Sequence, residues 1–269
     1  MGGSAVRNHQ APSRDIAAKL ADLDRVKHIL SGGHWLQDGA WIRAGKDVHR
    51  ILRNTPIIQR HLGWAPPPVW TTGIIRAVAQ KKQHKEAALT AEKTCLIGAA
   101  NPCAIPFDRN ASWTDGQNVT ANSGDRCAVD SWAVFRVNNH AFNKIEQEAM
   151  VGRVHRILLP KGGKSAQGIL VVSKYNVGEA LHPQLHMPVL LADTETSRVM
   201  LPSKSLQFSF NAQHDCRACG CDASGVTRQM QERQESDKLI HFIVHKGDDR
   251  FVINTHGFHN AALLRKYSR

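Results

Sequence analysis

The sequence predicts an α+β fold: N-terminal helices, then a small SH3-like β-barrel followed by a zinc-stapled ββα segment. Three observations predict it. The first hundred residues place apolar side chains at helical spacing. From Asp130 onward the pattern turns to short β-rich runs broken by turn residues. The last quarter gathers cysteine and histidine, with Cys216, Cys219 and Cys221 inside one hexapeptide. Residues 99–129, rich in Asn, Asp, Ser, Gly and Pro, read as an irregular linker. The expected division is therefore a basic helical region over 1–98, the linker over 99–129, and the barrel with its Cys/His segment over 130–269.

Ser13 is placed to cap a first helix, in which Ile16, Leu20, Leu23, Val26 and Ile29/Leu30 share one face and Gly32-Gly33 stops the pattern. Trp35 to Ile42 reads as a hairpin or loop. A second helical pattern runs from about Asp47 to Leu62, interrupted at Pro56, which lacks the N–H a helix interior needs. Pro66-Pro67-Pro68 imposes an extended link. A third helix is expected over Thr72 to Thr94. Its Arg76, Lys81, Lys82 and Lys85 are the candidate nucleic-acid contacts, because a row of cations along phosphates gains affinity by releasing counterions. The same residues would also serve as a solvated helix face, and no aromatic or Asn/Gln pattern suggests that they read bases.

The predicted strands are Ser131–Val137, Val151–Leu159, Gly168–Val177, Met187–Leu191, Ser197–Leu201 and Leu206–Phe210, with Pro160 to Lys164 as a hairpin loop. Five or six short strands with tight connections suggest a small closed barrel. Gly163-Lys164-Ser165 is no phosphate loop. The motif needs a glycine where Leu158 stands and a helix where a strand follows. Gln229 to Leu239 then reads as an exposed helix of mixed charge. Leu239 to His245 and Phe251 to Asn254 read as paired strands across a turn at Lys246 to Arg250, and a short helix is expected from about His256 to Tyr267.

The formal charge of +12 is unevenly spread. Residues 1–100 carry 15 Lys/Arg against 7 Asp/Glu, a formal +8, whereas 101–210 (11 against 9) and 211–269 (9 against 7) each carry +2. A basic excess confined to one region points to a polyanionic partner, nucleic acid or chromatin. Met1 to Ser13 has no apolar core of a signal peptide, and no apolar run of about 18 residues occurs, so an intracellular and, given the partner, nuclear location is expected. Scattered Cys95, Cys103 and Cys127 beside a clustered trio fit reduced thiols plus a metal site better than a disulfide framework.

Zinc takes four ligands from Cys and His, and here the supply exceeds four. The local trio is too tightly spaced to close one ion by itself, so a distant pair is the sounder partner. Cys216 and Cys221 with His256 and His259 are the first choice, with His214 and Cys219 in reserve. Such a zinc would join the strand region to the C-terminal segment and contribute directly to folding. A ββα-metal, HNH-like nuclease is the alternative. There His241 or His245 would activate water while His259 and Asn260 helped hold a divalent ion and the scissile phosphate. A protein–protein adaptor with a structural zinc is the third reading.

The series His214-Asp215-Cys216, Cys221, Gln231-Glu232-Arg233-Gln234-Glu235 and Phe251-Val252-Ile253-Asn254-Thr255-His256-Gly257-Phe258-His259-Asn260 resembles a tail shared by many basidiomycete fungal proteins, some of mobile-element character. The resemblance covers the last quarter strongly and the region from about Val151 weakly. It implies no settled activity. The Cys-x-x-x-x-Cys pair of those tails implies Cys216 and Cys221 as ligands and leaves Cys219 as an extra of this sequence. The barrel outline is similar to chromatin-reader barrels of the bromo-adjacent kind, an analogy of fold alone. A zinc-stabilised interaction module binding nucleic acid or chromatin is the expected function, and catalysis is not.

Overall fold

The computed structural model of the chain describes residues 12–65, 69–78, 89–106, 110–139, 146–162, 168–194, 197–231, 234–255, 257 and 259–264. Two compact units are present, one formed by residues 1–69 with 256–267 and the other by 70–255.

The first unit is built from helices and one hairpin. Helix α1 (Pro12–Leu30) ends where Gly32 takes a left-handed φ of +98°, letting the Ser31 and Gly33 N–H groups turn back to the Lys27 and His28 carbonyls. Strands β1 (His34–Gln37) and β2 (Ala40–Arg43) pair as a hairpin. The second helical pattern is split at the expected place. Helix α2 (Lys46–Asn54) stops before Pro56, and Pro56 opens helix α3 (Pro56–Leu62), where its missing N–H costs nothing. Gln59 donates its side-chain amide to the Leu52 and Arg53 carbonyls, closing the end of α2. Helix α4 is the single turn Ala261–Leu264. No helix among the described residues is long and apolar enough to cross a membrane.

The second unit is dominated by one large antiparallel sheet. It comprises β3 (Ile75–Ala77), β4 (Trp113–Thr120), β5 (Arg126–Cys127), β6 (Trp132–Asn139), β7 (Glu146–Pro160), β8 (Ile169–Leu181), β9 (Pro188–Ala192), β10 (Arg198–Pro202), β11 (Leu206–Phe210), β12 (Ala212–His214) and, later in the chain, β15 (Arg250–Ile253). The long hairpin of β7 and β8 is its centre. One edge of β7 pairs with β6 over 146–153 and with β4 over 158–160; the far edge of β8 pairs with β10 over 169–173 and with β9 over 175–181. The sheet therefore forks, and each of its two faces packs its own apolar side chains. Ala133, Phe135, Val154, Ile157, Leu170, Val172 and Leu201 share one core; Leu96, Trp113, Leu158, Ile169, Val171 and Met200 share another. Ile169 to Val172 are buried in succession because both faces of β8 are covered.

The small closed barrel expected from the strand runs is not what the ladders form. The strand order runs β11-β6-β7-β8-β9-β15-β12, and no ladder joins β11 to β12 among the described residues, so the sheet is open. Its two end strands are nonetheless consecutive in the chain, separated by Asn211 alone, whose carbonyl accepts from the Asn254 N–H. Rings from four strands pack at this seam: Trp132 lies 4.7 Å from Tyr175, 4.7 Å from Phe251 and 6.3 Å from Phe210.

Three local expectations are overturned. Where it is described, the helix expected over Thr72–Thr94 gives way to β3, because Gly73 has φ +81° and Ile75 is buried opposite Val119, and to a 3₁₀ turn at Ala91–Thr94; residues 79–88 of that expectation lie outside the described residues. The 99–129 stretch is not simply irregular, since it carries β4 and β5. The helix over Gln229–Leu239 is replaced by a two-stranded ribbon, β13 (Ala223–Gln231) with β14 (Gln234–Ile243), and β15 pairs with β9 and β12 instead of completing a hairpin with β14. The predicted ββα outline is therefore not formed among the described residues.

Candidate metal centre

The base of the β13–β14 ribbon brings four ligands together. The Nδ1 or Nε2 atoms of His214 and His245 and the sulfurs of Cys216 and Cys221 all lie within 4.8 Å of one another, a group able to hold one metal ion. The measured pairs are Cys216 Sγ to His245 Nδ1 at 3.4 Å and Cys221 Sγ to His214 Nδ1 at 3.8 Å. A tetrahedral zinc with its usual bond lengths would separate a sulfur and a nitrogen by about 3.6 Å. The two observed separations bracket that value, and the donor set suits a borderline-soft cation.

Each ligand is positioned by identifiable local structure. His214 ends β12, opposite Phe251 of β15, and its ring stands edge-on to Phe251 at 5.2 Å and stacks at 4.4 Å on His245. Its Nε2 lies 3.0 Å from the Gly247 carbonyl. Donation of an Nε2–H to that oxygen leaves the Nδ1 lone pair facing the sulfurs, the arrangement that orients metal-binding imidazoles. After His214 the chain winds into a tight loop: the Cys219 N–H donates to the Asp215 carbonyl and the Cys221 N–H to the Cys216 carbonyl at 2.8 Å. That last bond brings Cys221 back beside Cys216. Gly220, at φ +61°, supplies the left-handed turn it requires.

The two remaining arms clamp the ribbon. Its last register pair is Ala223 with Ile243, so Cys221 stands two residues before β13 begins and His245 two residues after β14 ends. The Lys246 N–H donates to the Cys221 sulfur at 3.2 Å, and the Lys246 ammonium reaches the Gly220 carbonyl and the Asp222 carboxylate. One ion bound here would cross-link the ribbon's two ends to each other and to β12.

A buried carboxylate braces the loop from below. Asp215 is 5% exposed, accepts from Arg250 Nε at 2.7 Å and from the Ala218 N–H at 3.1 Å, and lies 3.6 Å from His182 Nε2. Burial pushes its pKa up, but the Arg250 hydrogen bond, the Ala218 N–H and His182 outweigh it and hold Asp215 below its ordinary value. The Gln184 and Leu185 N–H groups both point to His182 Nδ1, which leaves Nε2 as the proton-bearing nitrogen facing Asp215. Burial first, then the adjacent Cys221, push the Cys216 thiol above its usual value. Two sulfurs this close resist ionising together, and a divalent cation between them reverses that sign.

Of the ligands expected from the sequence, Cys216, Cys221 and the reserve His214 are brought together. The fourth member is His245, which the sequence had offered as a nuclease base. Cys219 lies outside the group, with its sulfur 3.8 Å from Asp249 Oδ1; burial and then Asp249 push its thiol up. His259 and Asn260, whose side chains lie 3.1 Å apart, belong to the other compact unit, and His256 lies outside the described residues. His241 sits in β14 opposite Val226, exposed. Arg76 is an exposed residue of β3 facing Asn118, and Lys81, Lys82 and Lys85 lie outside the described residues. Asp215, Arg250 and His182 carry no sequence signal beyond the nearness of Asp215 to the cysteines.

A family model described as a domain of unknown function (DUF8590) matches residues 74–269, so the chain belongs to that family. No curated protein and no solved structure matches.

Proposed function

We propose that this member of the DUF8590 family is a zinc-stabilised interaction module that binds nucleic acid or chromatin, and that it works in the nucleus. The observation that carries the reading is the convergence of His214, Cys216, Cys221 and His245 at the base of the ribbon, with the far nitrogen of His214 pinned to a carbonyl. Four protein ligands complete a tetrahedral zinc and leave no position for a reacting water, which is the mark of a structural site. The same count argues against the nuclease, which needs an open position on its metal. β14 and β15, which pair with other strands and not with each other among the described residues, argue against it as well. A polyanionic partner is supported by the formal +12, of which the first hundred residues hold +8 (15 Lys/Arg less 7 Asp/Glu).

Elemental analysis of the purified chain, set beside Cys216→Ser and His245→Ala, tests the metal. One zinc per chain in the wild type and none in either variant is expected. Fluorescence anisotropy with a labelled duplex across a salt series tests the partner: log Kd should rise with log salt, with a slope of about 0.9 for each phosphate contact. Zinc without salt-dependent binding would make the protein an adaptor between proteins. No zinc would remove the structural centre altogether.

A further inference from the structure

His182, Asp215 and Arg250 form a chain of polar side chains that runs from the β8–β9 turn to the metal loop, and none of the three is among the four ligands. His182 is the first residue after β8 and is 7% exposed. Its N–H donates to the Met187 carbonyl and its carbonyl accepts from the His186 N–H, both at 2.8 Å, while its Nδ1 accepts from the Gln184 and Leu185 N–H groups. One residue therefore gathers the whole turn, 182–187, and presents Nε2 to Asp215 Oδ2 at 3.6 Å. Arg250 donates from Nε to the same oxygen at 2.7 Å, and its carbonyl accepts from the Asp215 N–H at 3.1 Å. The other oxygen, Oδ1, accepts from the Ala218 N–H inside the loop.

We propose that Asp215 is a positioning residue of the metal centre and that His182 acts on the metal through it, so that the turn at 182–187 and the metal loop are ordered together. The inference rests on the metal reading above and is independent of the polyanion. Two observations carry it. Asp215 stands in the chain between the ligands His214 and Cys216, and it divides its oxygens. Oδ1 shapes the loop that carries Cys216 and Cys221, whereas Oδ2 is held by two groups from outside that loop. A rotation of the carboxylate would disturb both sets of contacts at once.

The second observation is burial. Asp215 is 5% exposed, and a buried ion pair is a weak source of stability because desolvation cancels most of its attraction. What such a pair can do is hold one geometry. Groups that orient metal ligands from outside the coordination sphere change metal affinity by about 10–100-fold when they are removed.

Zinc affinity of the full chain, measured by competition with a chromogenic chelator, tests the proposal, with the visible spectrum of the cobalt-loaded chain as the readout of ligand geometry. Asp215→Asn keeps the shape but can set an amide where Arg250 needs an acceptor. It should bind zinc about 10–100-fold more weakly than the wild type and alter the cobalt spectrum. Two substitutions separate the roles of His182. Asparagine keeps an acceptor near the Nδ1 position, and with it the turn, but does not reach Asp215; glutamine carries an N–H near the Nε2 position and gives up the Nδ1 acceptor. His182→Asn should therefore weaken zinc about tenfold while His182→Gln stays within about twofold of the wild type. A histidine that served its turn alone would leave zinc affinity equal in the two variants. In the wild type, chelation should also release the hydrogen-exchange protection of the Gln184 and Leu185 amides, because the coupling is reciprocal.

Zinc held as tightly by a folded Asp215→Asn as by the wild type overturns the proposal, as does a His182→Gln that weakens zinc as much as His182→Asn. Should Asp215→Asn fail to fold, the His182 pair and the wild-type exchange decide the matter. A wild type that takes up neither zinc nor cobalt removes the metal reading and this inference with it. A wild type that binds both metals, with all three variants unchanged, removes the inference alone.

Discussion

In the β7–β8 hairpin, Ile169 to Val172 are buried without a break, whereas in the β13–β14 ribbon Leu239, Ile240, Phe242 and Ile243 are between 41% and 60% exposed. Both are antiparallel hairpins of one compact unit. The first is held by apolar surface removed from water on both faces. Among its described side chains the second has none that is buried, and at its base Cys221 and His245 flank its ends while His214, the last residue of β12, and Cys216 of the loop that follows complete a group able to hold a metal ion. With zinc bound as proposed, the difference teaches that local stability in this protein has two separate sources. Each should be removable without the other.

Chelation should produce the largest effect, and it should be local. Structural zinc contributes about 10–16 kcal/mol of apparent binding free energy in small peptides. An isolated two-stranded hairpin has little to replace it with. Hydrogen exchange followed by mass spectrometry, before and after a strong chelator, should show the amides of 223–243 losing their protection while those of 169–172 keep theirs. Loss of protection in both hairpins together would break the comparison and make the metal a keystone of the whole sheet.

The reciprocal experiment removes packing. Phe135 of β6 is fully buried, in the core that also holds Val154, Leu170 and Val172. Phe135→Ala should cost about 3–5 kcal/mol, read as a lower Tm and a lower denaturant midpoint. Zinc content should stay at one per chain below the melt. A variant that lost its zinc at temperatures where the sheet is still folded would show that the core reaches into the metal centre, through the ring contacts that run from Trp132 to Phe251 to His214.

The same contrast explains what could be read from the sequence. The runs that became β6, β8, β9, β10 and β11 were legible because burial on one or both faces leaves a local apolar signature, as in Ile169–Val172. The β3–β4 pairing was not. In β4 only Trp113, Gly116 and Val119 are buried, among polar neighbours, and Ile75 finds Val119 across more than forty residues. The ribbon misled for a different reason. Gln-Glu-Arg-Gln-Glu-Ser-Asp-Lys favours a helix by propensity, but β13 and β14 pair and Cys221 and His245 lie together at the ribbon's base, so the chain between them doubles back. Cys216 and Cys221 were visible by spacing, and His214 by nearness. His245 was visible only as a histidine, because the hairpin that delivers it was itself unread.

The smallest effect sharpens the ligand set. Cys219 sits between two ligands in the same loop, and by sequence alone it is as good a candidate as either. Its sulfur points away from the group, towards Asp249 Oδ1 at 3.8 Å, and its N–H, not its side chain, makes the bond to the Asp215 carbonyl that shapes the loop. A serine there keeps the backbone bond and offers Asp249 a better donor. Cys219→Ser should therefore retain one zinc per chain and melt within about 0.5 kcal/mol of the wild type. Cys216→Ser, three residues earlier, should lose the metal and with it the protection of 223–243. Zinc lost from Cys219→Ser but kept in Cys221→Ser would exchange the two sulfurs in the coordination sphere. The loop permits that exchange in principle, since Gly220 lies between them at φ +61° with no atom within 4 Å of where a Cβ would be. What opposes it is the pair of bonds that fix Cys221, its own N–H to the Cys216 carbonyl and the Lys246 N–H to its sulfur. Cys219 has no counterpart to the second of these among the described residues, and an amide donor on the sulfur is what stabilises a thiolate at a metal.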